Sequence, residues 1–372
     1  MKIEFYRHAL DEEDIKSATD TLRSVFLTTG PVCARFEQDF AAYAGLAHCV
    51  SLNSCTAALH LALLALGIGP GDEVIVPALT FIASATPVVH AGGTPVLVDV
   101  EPDTGLIDVA AVRAAITPRT KAIIPVHLYG VMADMRALKT LADEHGLALI
   151  EDAAHCIEAE RDGVRPGDLG DAVCYSFYAT KNLTCGEGGA LGTNREDVAK
   201  KALLLRQHGM TKEAAKRYHG LYQHWDMVEL GWKYNLNDIL AALMVNQLKR
   251  LDDLWRRRSE VYGLYAEALA GIPGLALPGL RGKSAHHLFT IQAPADKRDD
   301  LLAHLGAREI GVAVNYRAIH TLTWFRENLG CKPEDYPNAL VFGQRTLSLP
   351  FHTRLTGEEV ATVAAAIRGF LS

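Results

Sequence analysis

The chain has 372 residues, 49% of them apolar and 22% charged, and 37 Lys+Arg against 44 Asp+Glu leave a formal net charge of −7. That length accommodates one large domain and a smaller companion, while a mildly acidic balance without a basic block argues against a nucleic-acid-binding surface. No stretch reaches the ~20 uninterrupted apolar residues of a membrane span, and Met1-Lys2-Ile3-Glu4-Phe5-Tyr6-Arg7 lacks the apolar core of an export signal; the expectation is a cytoplasmic protein with neither a nucleic-acid nor a membrane partner.

From residue 50 to 195, short β-branched runs alternate with helical patterns. Strands are expected at Glu73–Pro77, Pro95–Val100, Ala122–Val126, Ala148–Glu151, Val173–Phe177 and Gly189–Gly192, with helices at Thr56–Leu66, Val109–Ile116 and Arg136–His145. Runs such as Val74-Ile75-Val76 are apolar on both faces, which fits a mostly parallel sheet covered by helices on either side. Beyond 195 the pattern turns helical, at Val198–Arg206 and from Asp238 to about Leu269, and a Pro/Gly-rich segment from Gly271 to Gly279 follows. The tail mixes short strands (His287–Ile291, Gly311–Tyr316) with helices (Asp299–Leu305, Gly357–Phe370). The reading is a large α/β domain over 1–245 and a small C-terminal α+β domain over 246–372.

Seven cysteines, odd in number and without a C-x-x-C pair, suggest neither a disulfide framework nor a zinc ribbon. About five of them are expected to be small core residues. Gly67-Ile68-Gly69-Pro70-Gly71 follows a helix and precedes a strand, the reverse of a dinucleotide fingerprint. Gly282-Lys283-Ser284 lacks the first glycine of a P-loop, and His286-His287 has no partner at metal-ligand spacing, so no metal is expected.

Three segments carry chemistry. Ser51 to Thr56 puts hydroxyls at the start of an Ala/Leu-rich helix, either an ordinary cap or a phosphate cradle. Glu151-Asp152-Ala153-Ala154-His155 closes an apolar strand with two carboxylates and a histidine, a helix N-cap pair or a ligand site at a strand's carboxyl end. Ser176 to Asn182 leaves the next strand with Lys181 among small residues, and Gly186-Glu187-Gly188-Gly189 follows. A cradle, a carboxylate and a lysine in this order suit pyridoxal phosphate: the lysine condenses with the aldehyde, the carboxylate keeps the pyridine nitrogen protonated, and the helix start holds the phosphate.

With these segments the chain resembles, over essentially its whole length, the sugar-nucleotide aminotransferases of the DegT/DnrJ/StrS type, which are fold type I pyridoxal-phosphate enzymes. Further matching stretches are Thr28-Thr29-Gly30-Pro31, Gly69-Pro70-Gly71-Asp72-Glu73-Val74 and Pro125-Val126-His127-Leu128-Tyr129-Gly130. The resemblance implies that Lys181 is the Schiff-base lysine, that Asp152 partners the pyridine nitrogen, that His155 bonds the ring hydroxyl and that Phe81 stacks on the ring. It assigns the phosphate to Thr56, the Cys55 backbone and Ser176. It also implies a homodimer with shared sites, in which Lys233 or Asn235 of Gly231-Trp232-Lys233-Tyr234-Asn235-Leu236 reaches the neighbouring subunit's phosphate. Many members read Asn-Tyr-Arg where this chain has Lys233-Tyr234-Asn235. Tyr316, Arg317 and His320 fall in the family's substrate-contacting segment, with Asn315 where many members have histidine.

The variant Lys-Tyr-Asn, with Glu-Asp-Ala-Ala-His and Asn182-Leu183-Thr184-Cys185, looks most like the branch that makes UDP-4-amino-4-deoxy-L-arabinose. What this implies is transfer of an amino group from L-glutamate to C4 of a UDP-linked keto sugar. Alternatives are amination at C3, a GDP- or dTDP-linked 6-deoxy sugar, or a catalytically inactive regulatory module. Lys181 argues against the members that dehydrate sugars with histidine in its place, and a cysteine desulfurase would have only Cys331 to offer as nucleophile.

Overall fold

The computed structural model describes residues 2–211 and 224–372. Its centre is a seven-stranded sheet in the order β1 (His48–Leu52), β7 (Gly189–Thr193), β6 (Ala172–Ser176), β5 (Ala148–Asp152), β4 (Thr120–Ile123), β2 (Glu73–Pro77), β3 (Thr94–Val98). The pairs from β6 to β3 are parallel, and β7 alone runs against both its neighbours. Alternation along each strand feeds two cores. Ile75, Ile123, Leu149 and Val173 pack with Phe36, Phe40 and Phe177 on one face, whereas Val74, Val76, Ile150 and Cys174 pack with Leu59 and Leu63 on the other. The near-continuous apolar runs are thus explained by helices on both faces, as the sequence suggests.

Differences from the sequence reading have local causes. Strand β1 is short and ends in the polar cap segment, so its period is hidden; Ser51 is spent on Glu37, to which its amide and hydroxyl both donate. Helix α1 (Glu12–Leu22) opens on an Asp11/Asp14 capping box, and α2 (Pro31–Ala44) is capped by Asp238, whose carboxylate accepts from the amides of Gly30 (2.8 Å), Val32 (3.2 Å) and Cys33 (2.9 Å). The stretch from 238 to 269 divides into helices Asp238–Lys249 and Leu251–Ala268 at Arg250, whose guanidinium reaches back to Asp14 and the Ala9 carbonyl. Gly311–Tyr316, expected as a strand, contributes a single bridge between Ala313 and Ser348; the small sheet instead pairs β8 (Phe289–Gln292) with β9 (Thr346–Leu349). Helices Thr323–Leu329 and Pro337–Arg345 are additions to the sequence reading.

The expected domain boundary at 245/246 falls inside helix Asp238–Lys249, whose Ala241, Met244, Val245 and Leu248 all lie in the large core. A third core joins Ile3 to Val261, Tyr265, Phe289, Ile291, Leu347, Val363 and Ile367. Ala318, Ile319, Phe325 and Phe342 return to pack on the core of Leu59 and Leu63, and residues 287–288 and 315–316 come to lie by the carboxyl ends of β5 and β6. Six of the seven cysteines are buried. Among the described residues no helix is long and apolar enough to cross a membrane.

Candidate active site

The reversed strand β7 assembles the site. Its first residue, Gly189, pairs with Ser176 at the carboxyl end of β6 and with Leu52 at the carboxyl end of β1. Helix α3 (Cys55–Ala65) starts three residues beyond Leu52 and presses on Gly189 so closely that an added Cβ there would collide with the Ser54 carbonyl carbon and the Cys55 amide. Ser54 caps α3 by accepting from the Ala57 amide at 3.1 Å. The amides of Cys55 and Thr56, in the first turn, have no acceptor within the helix. Together with the helix dipole they form an anion cradle beside the Ser176 hydroxyl.

Asp152 ends β5, and strand alternation sends it and Glu151 to opposite faces. Glu151 is structural: it accepts from His127 Nε2 at 2.8 Å and from the amides of Gly167 and Gly170. The helix N-cap reading of this pair is not realised, because no helix follows. Asp152 is buried, and its oxygens accept from Ser84 Oγ (2.7 Å) and the Ala154 amide (3.1 Å). Burial raises its pKa, and the Ser84 hydrogen bond works in the other direction. Lys181 follows β6, with Nζ 3.4 Å from His287 Nε2. Burial lowers the pKa of Lys181 to about 8, opposed by Cys55 and Asp152. His155 accepts from the Tyr129 amide through Nδ1 (3.2 Å), so its Nε2 carries the proton offered to the Tyr316 hydroxyl at 3.1 Å.

One cavity of about 560 Å³ joins Cys55, Thr56, Asp152, Ser176 and Lys181, with Phe81, His155 and Tyr316 also in its wall. An aminotransferase family model, DegT/DnrJ/EryC1/StrS, matches residues 8–368.

The chain belongs to the DegT/DnrJ/EryC1/StrS aminotransferase family.

The spore coat polysaccharide biosynthesis protein SpsC of Bacillus subtilis (strain 168) is 43% identical to this aminotransferase over 368 residues, covering 96% of this chain and 94% of that one. Among solved structures, Spr1654 from Streptococcus pneumoniae, in its PMP form, superposes with a TM-score of 0.93 at 32% identity, over 99% of this chain and 98% of that one. S. venezuelae DesV superposes with a TM-score of 0.90 at 37% identity, over 100% and 99%. This aminotransferase therefore has the type I fold and uses pyridoxal phosphate as its cofactor.

The residues present fit that group. Asp152 is a buried carboxylate served only by neutral donors, the setting in which a protonated ring nitrogen is welcome. The first turn of α3 offers an anion site, and the Lys181 amine opens into the same cavity. Phe81, 52% exposed, stands at the rim with its ring 5.6 Å from that of Tyr316.

Four residues named from the sequence do not line this cavity. Lys233 bonds Asn235 (2.6 Å), which in turn bonds the Thr29 hydroxyl (2.5 Å). Arg317 is exposed and bonds Thr321, while His320 is fully buried, its Nε2 3.1 Å from the Pro333 carbonyl oxygen and its ring against Tyr336. Sequence reasoning missed Ser84 and His287. Ser84 has no local motif, and His287 was considered only as a metal ligand; among the described residues no cluster of His, Cys, Asp or Glu is arranged to hold a metal.

Proposed function

We propose that this aminotransferase moves an amino group from L-glutamate to the C4 keto carbon of a UDP-linked keto sugar, working as a homodimer with shared sites. The observation that carries the chemistry is that Lys181, Asp152 and the first turn of α3 open into one cavity. The choice of sugar is supported by the Lys233-Tyr234-Asn235 and Glu151-to-His155 variants and by likeness to a polysaccharide biosynthesis protein.

When bound, pyridoxal phosphate supplies an aldehyde for an amine to condense with and a ring that takes up the electron pair of a broken C–H bond. Lys181 Nζ would hold the aldehyde carbon and, as a free amine, would serve as the base that takes the donor's α-proton and returns it. Asp152 keeps the ring nitrogen's proton in place, and Ser84 orients the Asp152 carboxylate. The Cys55 and Thr56 amides and the Thr56 and Ser176 hydroxyls bind the phosphate. His155, whose Nε2–H donates to the Tyr316 hydroxyl, would turn that donor to the ring hydroxyl, Phe81 would cover the ring, and Tyr316 would face the sugar. Arg317 and His320, neither of which lines the cavity, hold the segment that carries Tyr316 through their bonds to Thr321 and to the Pro333 carbonyl. Lys233 or Asn235, neither of which lines its own chain's cavity, serves the partner's phosphate.

The test starts with the visible spectrum of the purified protein. A yellow band bleached by L-glutamate supports the donor; a yellow protein that ignores glutamate excludes it. The bleached enzyme is then offered UDP-, GDP- and dTDP-linked 3-keto and 4-keto sugars. Return of the band only with a UDP-linked 4-keto sugar supports the assignment, and return only with a 3-keto or a GDP- or dTDP-linked sugar overturns it.

A further inference from the structure

A second cavity, of about 30 Å³, also touches Lys181, and Asn182, Arg258, His287 and His352 contribute to its wall. Three buried nitrogens of that wall, Arg258 Nε, His287 Nδ1 and His352 Nδ1, have no hydrogen-bond partner among the described residues. The three side chains belong to residues only 4 to 5% exposed. Buried polar groups are nearly always paired, so three orphans around one small space point to an occupant.

Size and hydrogen-bond bookkeeping identify it. The volume exceeds the ~10–15 Å³ that one water needs and is far too small for an organic ligand. Arg258 Nε is always an N–H, so the occupant must accept. The Arg258 charge is already matched by its buried ion pair with Glu158, and Arg7, also in the wall, is paired with Glu4. No unbalanced positive charge calls for an anion. A water that accepts from Arg258 Nε–H and donates to His287 Nδ1 and His352 Nδ1 makes three bonds, the usual number for a buried water.

That arrangement has a consequence at Lys181. With Nδ1 accepting, the His287 proton resides on Nε2, 3.4 Å from Lys181 Nζ. The chain is held firmly to put it there. Lys283 exchanges backbone bonds with Glu160, Ala285 donates to the Gly130 carbonyl and accepts from Asn182 Nδ2, and His286 is held at φ +47° with its ring 4.6 Å from that of Tyr262. The other groups facing Lys181 and His287 are Cys55, Asp152 and the His155 ring, which lies 4.3 Å from the His287 ring.

We infer that the small cavity seats one buried water bound by Arg258 Nε, His287 Nδ1 and His352 Nδ1, and that, with this water donating to Nδ1, His287 takes the tautomer in which Nε2–H donates to the unprotonated Lys181 Nζ. His287 is thereby a positioning residue for the amine. The inference rests on the reading of Lys181 as the cofactor's lysine. Borohydride reduction and peptide mapping test that reading separately, because they report the modified lysine whatever the histidine does.

The experiment uses the enzyme reconstituted with pyridoxamine phosphate, so that Lys181 is not tied to the cofactor, held at a pH above about 8 where its amine is unprotonated, and labelled with 15N-histidine. The His287 resonances are assigned by their loss in His287→Gln. A single Nε2–H tautomer is expected, shifting to a mixed state in His352→Phe, where the water loses one of its three partners, together with a roughly tenfold fall in kcat at unchanged KM for the donor. An Nδ1–H or doubly protonated His287 in the parent enzyme overturns the inference, as does a His352→Phe protein with an unchanged tautomer. High-resolution crystallography of the same form should show one water within hydrogen-bond distance of the three nitrogens; an anomalous signal there after bromide soaking would mark an anion site and refute it.

Discussion

Asp152 and Lys181 are both buried ionisable groups in one cavity, yet burial acts on them in opposite directions. The carboxylate is pushed up and the ammonium down, so burial favours the neutral form of each until a cofactor supplies the charge that Asp152 lacks. Asp152→Asn should keep the fold and bind pyridoxal phosphate but lose about 10²–10³-fold in kcat, the scale of one preorganised electrostatic contact; steady-state kinetics checks this, and a near-normal rate removes Asp152 from the role. For Lys181 the sign follows from the depressed pKa. The amine is protonated below about 8 and free above it, so the rate of pyridoxal phosphate uptake by cofactor-free protein should climb through that pH and level off, and a stopped-flow absorbance series would show a flat profile if it does not. These two residues were readable from the sequence because each sits in a short motif at a strand end. Ser84 and His287 were not, because they reach Asp152 and Lys181 across 68 and 106 positions of chain and nothing in their own neighbourhoods announces the contact.

At the scale of elements, the strands of the parallel sheet were legible because Val, Ile and Leu fill both faces, and helices such as Met135–His145 because an apolar stripe recurs along them. Boundaries set by distant side chains were not. Asp238 caps a helix some 200 residues earlier, and Arg250 ends one helix and begins another by reaching for Asp14. Asp238→Ala should therefore destabilise the protein by about 2–4 kcal/mol, three backbone amides losing their acceptor at once; urea unfolding at equilibrium measures it, and a loss within experimental error of zero would show that solvent replaces the carboxylate. Gly189→Ala should act differently. Its methyl group would displace the first turn of α3, so a loss of at least tenfold in pyridoxal phosphate affinity is expected, read by fluorescence titration; an unchanged affinity would show that the phosphate binds elsewhere.

Taken whole, one chain builds a nearly complete cavity but leaves Lys233 and Asn235 outside it, joined to each other by a hydrogen bond. A homodimer with shared sites should scatter light as a particle of twice the 40.4 kDa chain mass. Complementation tests the sharing. Lys181→Ala and the double variant Lys233→Ala/Asn235→Ala should each be inactive alone. Refolded together in equal amounts they should recover about a quarter of the parent activity, since half the dimers are mixed and each mixed dimer has one sound site; no recovery would place both side chains outside the partner's site. The row Ser176–Gly189–Leu52 bears on a different matter, how such an enzyme changes its substrate over generations. At the centre of that row Gly189 has no room for a side chain against the turn it abuts, whereas the rim carrying Phe81 and Tyr316 is built from loops outside the sheet. Inheritance can therefore rewrite the rim around Tyr316 without disturbing the cradle, and an engineer seeking a new sugar acceptor should randomise that part of the rim and leave Phe81 and the row alone.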